Sequence, residues 1–443
     1  MAPETPETNP TISLITLGHI DHGKSTTLGH FLVDIGAVDQ RMMEKLTAES
    51  QELKRESWKY AFVLDSTDEE RAGGITADIA FQPFSTDADH NFMLIDAPGH
   101  RDYVKNAIRG AVLADACLFV VSAIQSDLRS GIKTGEPGSP GGQTREHSIL
   151  GSVLGINQIV FLVNKMDAVD YSEEAYKEAV RTVAELLREI QSPWVKILGE
   201  ASFIPVSGLE GENLTEPSDN MPWWKGDTVS TALSKFKPTD KSAEKSRFLV
   251  HDAFEMQGIG TVLHGRLISG VIRPEDSMVV LPSELEADVK EVWDTSAGTI
   301  PQLRAGDYGI IQLRGVDKDD VTAGMIIADH TSPPKAPQSI ITRLLILTSA
   351  SRPLIPGSTV ILHVGLSHTA ARVERIIEVE RSKKKRRDGQ RIMMAHPGEL
   401  VRMELKPDLP IIVEKFTDQP ILGRAVLRKE GSTIAVGQVV DLS

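Results

Sequence analysis

The stretch 18–27, GHIDHGKSTT, decides the class of the first domain. It follows an apolar run containing Ile12, Leu14, Ile15 and Leu17, which reads as a buried strand, and it leads into residues that can continue as a helix. Gly18, Gly23, Lys24 and Ser25 satisfy the spacing G-x-x-x-x-G-K-[ST]. In that pattern the glycines let backbone N–H groups close around phosphate oxygens. The lysine neutralises β- and γ-phosphate charge, and the hydroxyl can ligate Mg²⁺. A chance glycine turn meets the same spacing, so the strand before and the helix after carry the reading. The pattern does not name the base.

Three further segments narrow the chemistry. Asp96 opens DAPGH (96–100) at the end of the apolar run NFMLI, where a carboxylate can hold Mg²⁺ through water and the Gly99 N–H can meet a γ-phosphate. At the end of another strand, NKMD places Asn164 and Asp167. A carboxylate that accepts two N–H donors selects the N1–H and 2-amino edge of guanine over adenine, so GTP and GDP are the expected nucleotides. After a further strand, VSGLEG (206–211) offers backbone N–H groups of residues such as Gly208 to guanine O6. Thr76, in GGITAD, lies in sequence between the phosphate loop and Asp96. A hydroxyl there that ligates Mg²⁺ only in the triphosphate state makes a switch, against the plain alternative of a turn residue. His100 follows the glycine that would meet the γ-phosphate, and it is expected to orient the attacking water.

Short apolar runs alternate with helical periods up to about residue 237. TISLITLG, NFMLIDAPG, ACLFVVSA, QIVFLVNK and ASFIPVSG read as buried parallel strands, and YSEEAYKEAVRTVAELLREIQ as an amphipathic helix. This predicts a doubly wound α/β domain with a mainly parallel sheet. KFKPTDKSAEKSR (235–247) reads as a linker. Beyond it, short strands rich in Val, Ile and Leu with Gly, Pro and Asp turns predict all-β barrels, divided at DHTSPPKAPQS (329–339). The expected domains are a GTP-binding domain over 1–237 and β-barrels over 238–333 and 334–443. With a net charge of −14 over 443 residues, nucleic-acid contact has to come from local basic patches, and RSKKKRRDGQR (381–391) reads equally as such a patch or as a solvated loop. The single cysteine, Cys117 in ACLFVV, excludes an internal disulfide and reads as a buried core thiol. No apolar run approaches the ~20 residues of a membrane span and no leader pattern opens the chain, so no membrane partner and a cytoplasmic location are expected. Trp223 and Trp224 in MPWWKG read as packing aromatics.

GHIDHGKST, DAPGHRDYVKNAI, GQTREHSILGSVLGI, LVNKMDAV, FIPVSGLEGENL and MPWWKG occur in one order that resembles the translational GTPases, most closely the elongation factor 1-alpha family with its bacterial relative elongation factor Tu. ESWKYAFVLDSTDEERAGGITAD resembles that family's switch region, QGIGTVLHGRLISGVI the opening of its second domain and QPILGRAVLRKEGSTIAVGQV the end of its third. The resemblance implies a P-loop GTPase domain followed by two barrels. It implies a monomer that carries aminoacyl-tRNA to the ribosome, hydrolyses GTP on codon recognition, and has room for a guanine-nucleotide exchange factor. Carried over by position, Asp21, His22, Gly23, Lys24, Ser25 and Thr26 hold phosphates. Asn164, Lys165, Asp167, Ser207 and Leu209 hold the base. Ser25 and Thr76 ligate Mg²⁺, and His100 positions water behind an apolar gate of Ile20 and Ile75.

This chain departs from the family in places. Gly73 stands where an arginine is usual, Tyr308 in GDYG where the second domain has asparagine, and Ile268 in GRLISG where it has glutamate. LHVGLSHTAARVERI also departs from the third domain's usual text. Two other readings therefore stay open: a termination or ribosome-rescue GTPase that carries a protein mimic of tRNA, and the GTPase subunit of a sulfate-activating enzyme.

Overall fold

The computed structural model describes residues 11–52, 59–64, 80–86, 90–96, 110–134, 141–199, 203–239, 241–295, 298–347, 350, 352–381, 392–430 and 432–443. Contacts divide the chain into two compact units, one being Ile12–Lys237 and the other containing Pro238–Ser443.

The first unit is built on a six-stranded sheet. Its strands are β1 (Thr11–Gly18), β2 (Ala80–Thr86), β3 (His90–Asp96), β4 (Ala116–Ser122), β5 (Gln158–Asn164) and β6 (Phe203–Pro205), in the order β2-β3-β1-β4-β5-β6. Pairs β1–β4, β4–β5 and β5–β6 are parallel and β2–β3 is antiparallel. The parallel strands are covered on both faces, which is why β4 is buried along its whole length and reads as an unbroken apolar run. Strand β2, AFQPFST, is not among the runs expected from sequence. Pro83 interrupts its pattern and is tolerated because β2 lies at the sheet edge.

Helices α1 (Lys24–Asp34), α2 (Gln40–Glu52), α3 (Gln125–Ile132), α4 (Gln143–Val153), α5 (Glu173–Glu189) and α6 (Val229–Leu233), with short 3-10 turns, accompany the sheet among the described residues. The amphipathic stretch forms α5, capped where Ser172 Oγ accepts the Ala175 N–H at 3.2 Å and lined inward by Ala179, Val183, Leu186 and Leu187. Phe161 packs against Phe203 at 4.7 Å and edge-on to Trp194 at 6.1 Å, with the indole N–H donated to Ile156 O. Cys117 is fully buried, and desolvation pushes its thiol well above the usual range. Trp223 and Trp224 pack around Tyr176 at 5.3 and 5.6 Å, so they are used in packing.

The second unit holds two closed barrels. Strands β7 (Arg247–Met256), β8 (Gly260–Ser269), β10 (Ser277–Leu281), β11 (Leu285–Trp293), β13 (Tyr308–Arg314) and β14 (Ile326–Asp329) close in the order β10-β11-β13-β8-β7-β14, while β9 (Val271–Ile272) and β12 (Leu303–Arg304) form a side ribbon. Strands β15 (Ile340–Ile346), β16 (Thr359–Val364), β17 (Ser367–Arg381), β18 (Leu400–Pro407), β19 (Arg424–Lys429) and β20 (Ser432–Leu442) close in the order β15-β18-β17-β16-β19-β20, with a short helix α7 (Pro420–Gly423) before β19. Closure removes the sheet edges that an open antiparallel sheet exposes.

The stretch read as a linker is structured at both ends. Phe236 is buried in the core of the first unit, and Arg247 is the first residue of β7. Two residues with side chains to bury thus shorten the free connection, which the polar run between them disguised. Within the second unit the barrels are joined by polar contacts: Gln419 Nε2 donates to Ile268 O (3.2 Å), Ser367 Oγ to Gly324 O (2.7 Å), and buried Arg247 faces Glu414 at 3.5 Å.

Candidate functional site

The last residues of β1, β3 and β5 and the segments that follow β1, β5 and β6 carry every described residue singled out for nucleotide chemistry. Ligands bind at the strand ends of open α/β sheets because loops and helix N-termini leave backbone N–H groups unpaired there. After β1 the chain makes a single 3-10 turn over Ile20–His22 and enters α1 through Gly23. Gly23 takes φ +83°, and a Cβ at this position would fall 2.5 Å from Asn164 Nδ2. Both the backbone sign and the close approach therefore demand glycine.

Asn164 is the hub of the site. Its side chain is almost fully buried, Nδ2 donates to His22 O (2.8 Å), and Oδ1 accepts from the Gly208 N–H (2.8 Å). The amide thus joins the 18–27 loop to the 206–211 loop. Asp167 is half-buried, and its Oδ1 accepts from Ser207 Oγ at 2.6 Å. Lys165 adopts φ +66° and donates from Nζ to Asp127 Oδ2 at 2.9 Å. Burial pushes the Asp127 carboxyl up, but the hydrogen bond and charge of Lys165 outweigh it and hold the group below the usual carboxylate range. Leu209 is exposed beside them.

On the phosphate side, Lys24 is nearly buried and donates from Nζ to His19 O at 3.3 Å. Desolvation pulls its ammonium below the usual range, while Asp96 and then Asp21 oppose that shift. Asp96 is fully buried, with Thr16 Oγ1 donating to Oδ1 (2.8 Å) and Ser25 Oγ to Oδ2 (3.4 Å). A carboxylate and a hydroxyl meeting at the helix N-terminus form a hard-oxygen pair that suits Mg²⁺, which typically takes few protein ligands plus phosphate oxygens and water. Asp21 is exposed, and Ser25 and Thr26 are half-buried at the start of α1. Gly73, Ile75, Thr76, Gly99 and His100 lie outside the described residues, as do residues 382–391 of the basic run.

Some residues of this site were not singled out from the sequence. His147 on α4 is fully buried with Nδ1 3.2 Å from Gly18 N and 3.1 Å from Gly18 O, and Gln143 Oε1 accepts the Ile20 N–H at 3.3 Å. Desolvation, reinforced by the Lys24 charge, lowers His147 to about 3. His22 is likewise lowered to about 4 by burial, then by His19. Helix α4 therefore supports the phosphate loop from beneath with neutral imidazole and amide groups. The available sequence signal was that the buried face of this helix carries polar residues, Gln143, Thr144 and His147, directly after a glycine pair.

In the first barrel, Tyr308 is buried with Arg266 over its ring at 5.5 Å and His251 edge-on at 5.5 Å, and Ile268 is buried on β8. On the last barrel, the outer face of β17 and its neighbours is laced by Arg343–Glu380 (2.6 Å), Arg375–Glu404 (2.5 Å) and Arg402–Glu378 (3.9 Å).

Fold and site have relatives among known proteins. Residues 9–265 match the family described as Elongation factor Tu GTP binding domain, and residues 340–440 match the one described as GTP-eEF1A C-terminal domain-like. The chain is 37% identical over 436 residues to elongation factor 1-alpha of Cenarchaeum symbiosum, covering 98% of this chain and 97% of that protein. It is 37% identical over 441 residues to elongation factor 1-alpha of Staphylothermus marinus, covering 98% and 97%. Among solved structures, the Saccharomyces cerevisiae Ski7 GTPase-like domain bound to GDP and inorganic phosphate superposes with a TM-score of 0.77 at 20% identity over 98% of both chains. The elongation factor SelB of Methanococcus maripaludis with the GTP analogue GppNHp does so with 0.64 at 21% identity, over 98% of this chain and 80% of that one. At such identities the similarity is one of fold.

Proposed function

Because the chain belongs to the elongation factor Tu and elongation factor 1-alpha family of translational GTPases, we propose that its GTP-bound form carries aminoacyl-tRNA to the ribosomal A site and releases it after hydrolysis on codon recognition. The chain is a translation elongation GTPase that binds GTP and GDP. What supports the finer reading most is that the likeness to elongation factor 1-alpha runs through both barrels, over 98% of the chain.

In this reading the N–H groups from Asp21 to Thr26 and the Lys24 ammonium hold the phosphates, and the low-dielectric setting of Lys24 strengthens its pull on them. Ser25 and Asp96, with Thr76 in the GTP state, hold Mg²⁺, which when bound neutralises charge on the β- and γ-phosphate oxygens. Gly99 presents its N–H to the γ-phosphate, and His100 orients the water behind Ile20 and Ile75. Asp167, steadied by Ser207, takes the N1–H and 2-amino group of guanine, and the Lys165 stem lies along the base. With the Gly208 N–H committed to Asn164, the Leu209 N–H is the donor for guanine O6. The protein works as a cytoplasmic monomer with the ribosome as partner and can use an exchange factor. Among the described residues no helix is long and apolar enough to cross a membrane.

A second reading, a termination or rescue GTPase that carries a protein mimic of tRNA, is favoured by the buried packing of Tyr308 and Ile268, where the family has polar side chains. Capture from a translation extract on immobilised protein with a non-hydrolysable GTP analogue separates the two. Retention of aminoacyl-tRNA over deacylated tRNA is expected, and retention of a protein without aminoacyl-tRNA would favour the second.

A further inference from the structure

His30 has no place in the nucleotide site as outlined above, yet three contacts hold it. It is buried on α1, its ring lies parallel to that of Tyr60 (centroids 3.8 Å apart, planes at 9°), and its Nε2 is 3.6 Å from Asp34 Oδ1. Its Nδ1 lies 2.9 Å from Gly208 O, and because a carbonyl only accepts, Nδ1 carries the proton and donates. The stack depends on how closely the 59–64 segment approaches α1. A Cβ on Gly29 would fall 1.8 Å from Tyr60 O, so only glycine at 29 lets the tyrosine come over the imidazole.

The carbonyl that His30 holds belongs to the same planar peptide group as the Leu209 N–H. In a trans peptide the C=O and N–H vectors are antiparallel, so fixing one end aims the other. The N–H of Gly208, on the preceding peptide, is held by Asn164 Oδ1 at 2.8 Å, so the loop is pinned on both sides of Gly208. We propose that His30 is a positioning residue that locks the Gly208–Leu209 peptide plane and so aims the Leu209 N–H at guanine O6, with Tyr60 holding the imidazole in the plane this requires. The proposal rests on reading residues 207–209 as the base loop. Without the Nδ1 donor the peptide plane is released to rotate, and the donor to O6 is lost while the Asp167 contacts stay.

The test compares GDP with 6-thio-GDP, whose sulfur is a weak acceptor at position 6 but whose N1–H and 2-amino groups are unchanged. His30→Phe keeps an aromatic ring against Tyr60 and removes the donor. It is expected to weaken GDP binding about 3–10-fold, the worth of one hydrogen bond, and to leave 6-thio-GDP within about 2-fold, so the wild-type preference for GDP collapses. His30→Asn, whose Nδ2 stands close to the place of Nδ1, restores the preference, and Tyr60→Leu reduces it in part. A purely structural role would lower affinity for both nucleotides alike, and an unchanged ratio in His30→Phe overturns the proposal. If His30→Phe does not fold, an unchanged ratio in Tyr60→Leu overturns it instead. The Asp167→Asn variant, run in parallel, separates the two levels. Retained guanine selectivity there defeats the base-loop reading, whereas a switch to xanthine nucleotides with an unchanged His30→Phe ratio defeats only the positioning role.

Discussion

Asn164→Ala separates two roles for the NKMD asparagine, contact with the base and the joining of two loops. The wild-type amide makes two hydrogen bonds of 2.8 Å, one to His22 O and one from the Gly208 N–H, at a side chain only 3% exposed. Alanine removes both partners and leaves a buried carbonyl and a buried N–H unsatisfied, each costing about 1–3 kcal/mol. The sum, about 2–6 kcal/mol, is a large part of the roughly 5–15 kcal/mol that keeps a domain folded. For a domain of this length, about 2–4 °C is lost per kcal/mol, so the midpoint should fall by on the order of 4–24 °C. The assay is thermal unfolding of nucleotide-free protein, followed at the Trp194 and Trp223–Trp224 fluorescence of the first unit, alongside GDP titration. Both stability and affinity are expected to drop. A variant with the wild-type midpoint and collapsed GDP affinity would refute the joining role and return Asn164 to a plain base contact.

Other outcomes follow from the same geometry. Asp167→Asn should move nucleotide preference from guanine to xanthine, because an amide donates where the carboxylate accepted; competition binding with GTP and XTP checks it. His100→Ala should leave GTP binding largely intact and slow ribosome-stimulated hydrolysis by about 10²-fold or more, and wild-type stimulated turnover would remove His100 from the mechanism. His147 is lowered by burial from 6.5 to about 3, so the unfolded state takes up a proton first. Its contribution is complete above pH 6.5 and is lost as pH falls toward 3, at up to about 1.4 kcal/mol per pH unit. Urea denaturation of His147→Asn across that window should show a correspondingly shallower acid loss than wild type. Arg247→Ala strands the half-buried Glu414, whose carboxyl burial already pushes up against the pull of Arg247, and should cost the barrel unit about 1–3 kcal/mol. The double variant Arg247→Met, Glu414→Leu should recover most of that loss in the same denaturation assay.

The parallel strands of the first unit were legible because strands buried on both faces have to be apolar throughout, as β4 is. Strand β2 was not, since an edge strand tolerates Pro83 and a mixed pattern. Strand β17 is hard to read from sequence for a related reason. Its 15 residues carry alternating charges that pair outward with β15 and β18, and such a surface looks in sequence like a solvated segment. Phe236 shows the same limit in the stretch read as a linker, where one apolar residue among charges gave no sign that it enters a core.

Spacing along the chain marks Gly23, Lys24, Ser25, Asp96, Asn164 and Asp167 as the candidates for nucleotide chemistry. Phosphate and guanine chemistry demands particular residue types on short turns after strands, and those constraints are local. Only the tertiary structure assigned the Asn164 amide to His22 and Gly208, brought His147 and Gln143 under the 18–27 loop, and stacked His30 on Tyr60 with its Nδ1 on Gly208 O. These partners lie tens to well over a hundred residues apart. Their hydrogen bonds exist because packing buries the groups together and each buried polar atom must then find a partner, a requirement that leaves no periodic trace in the sequence.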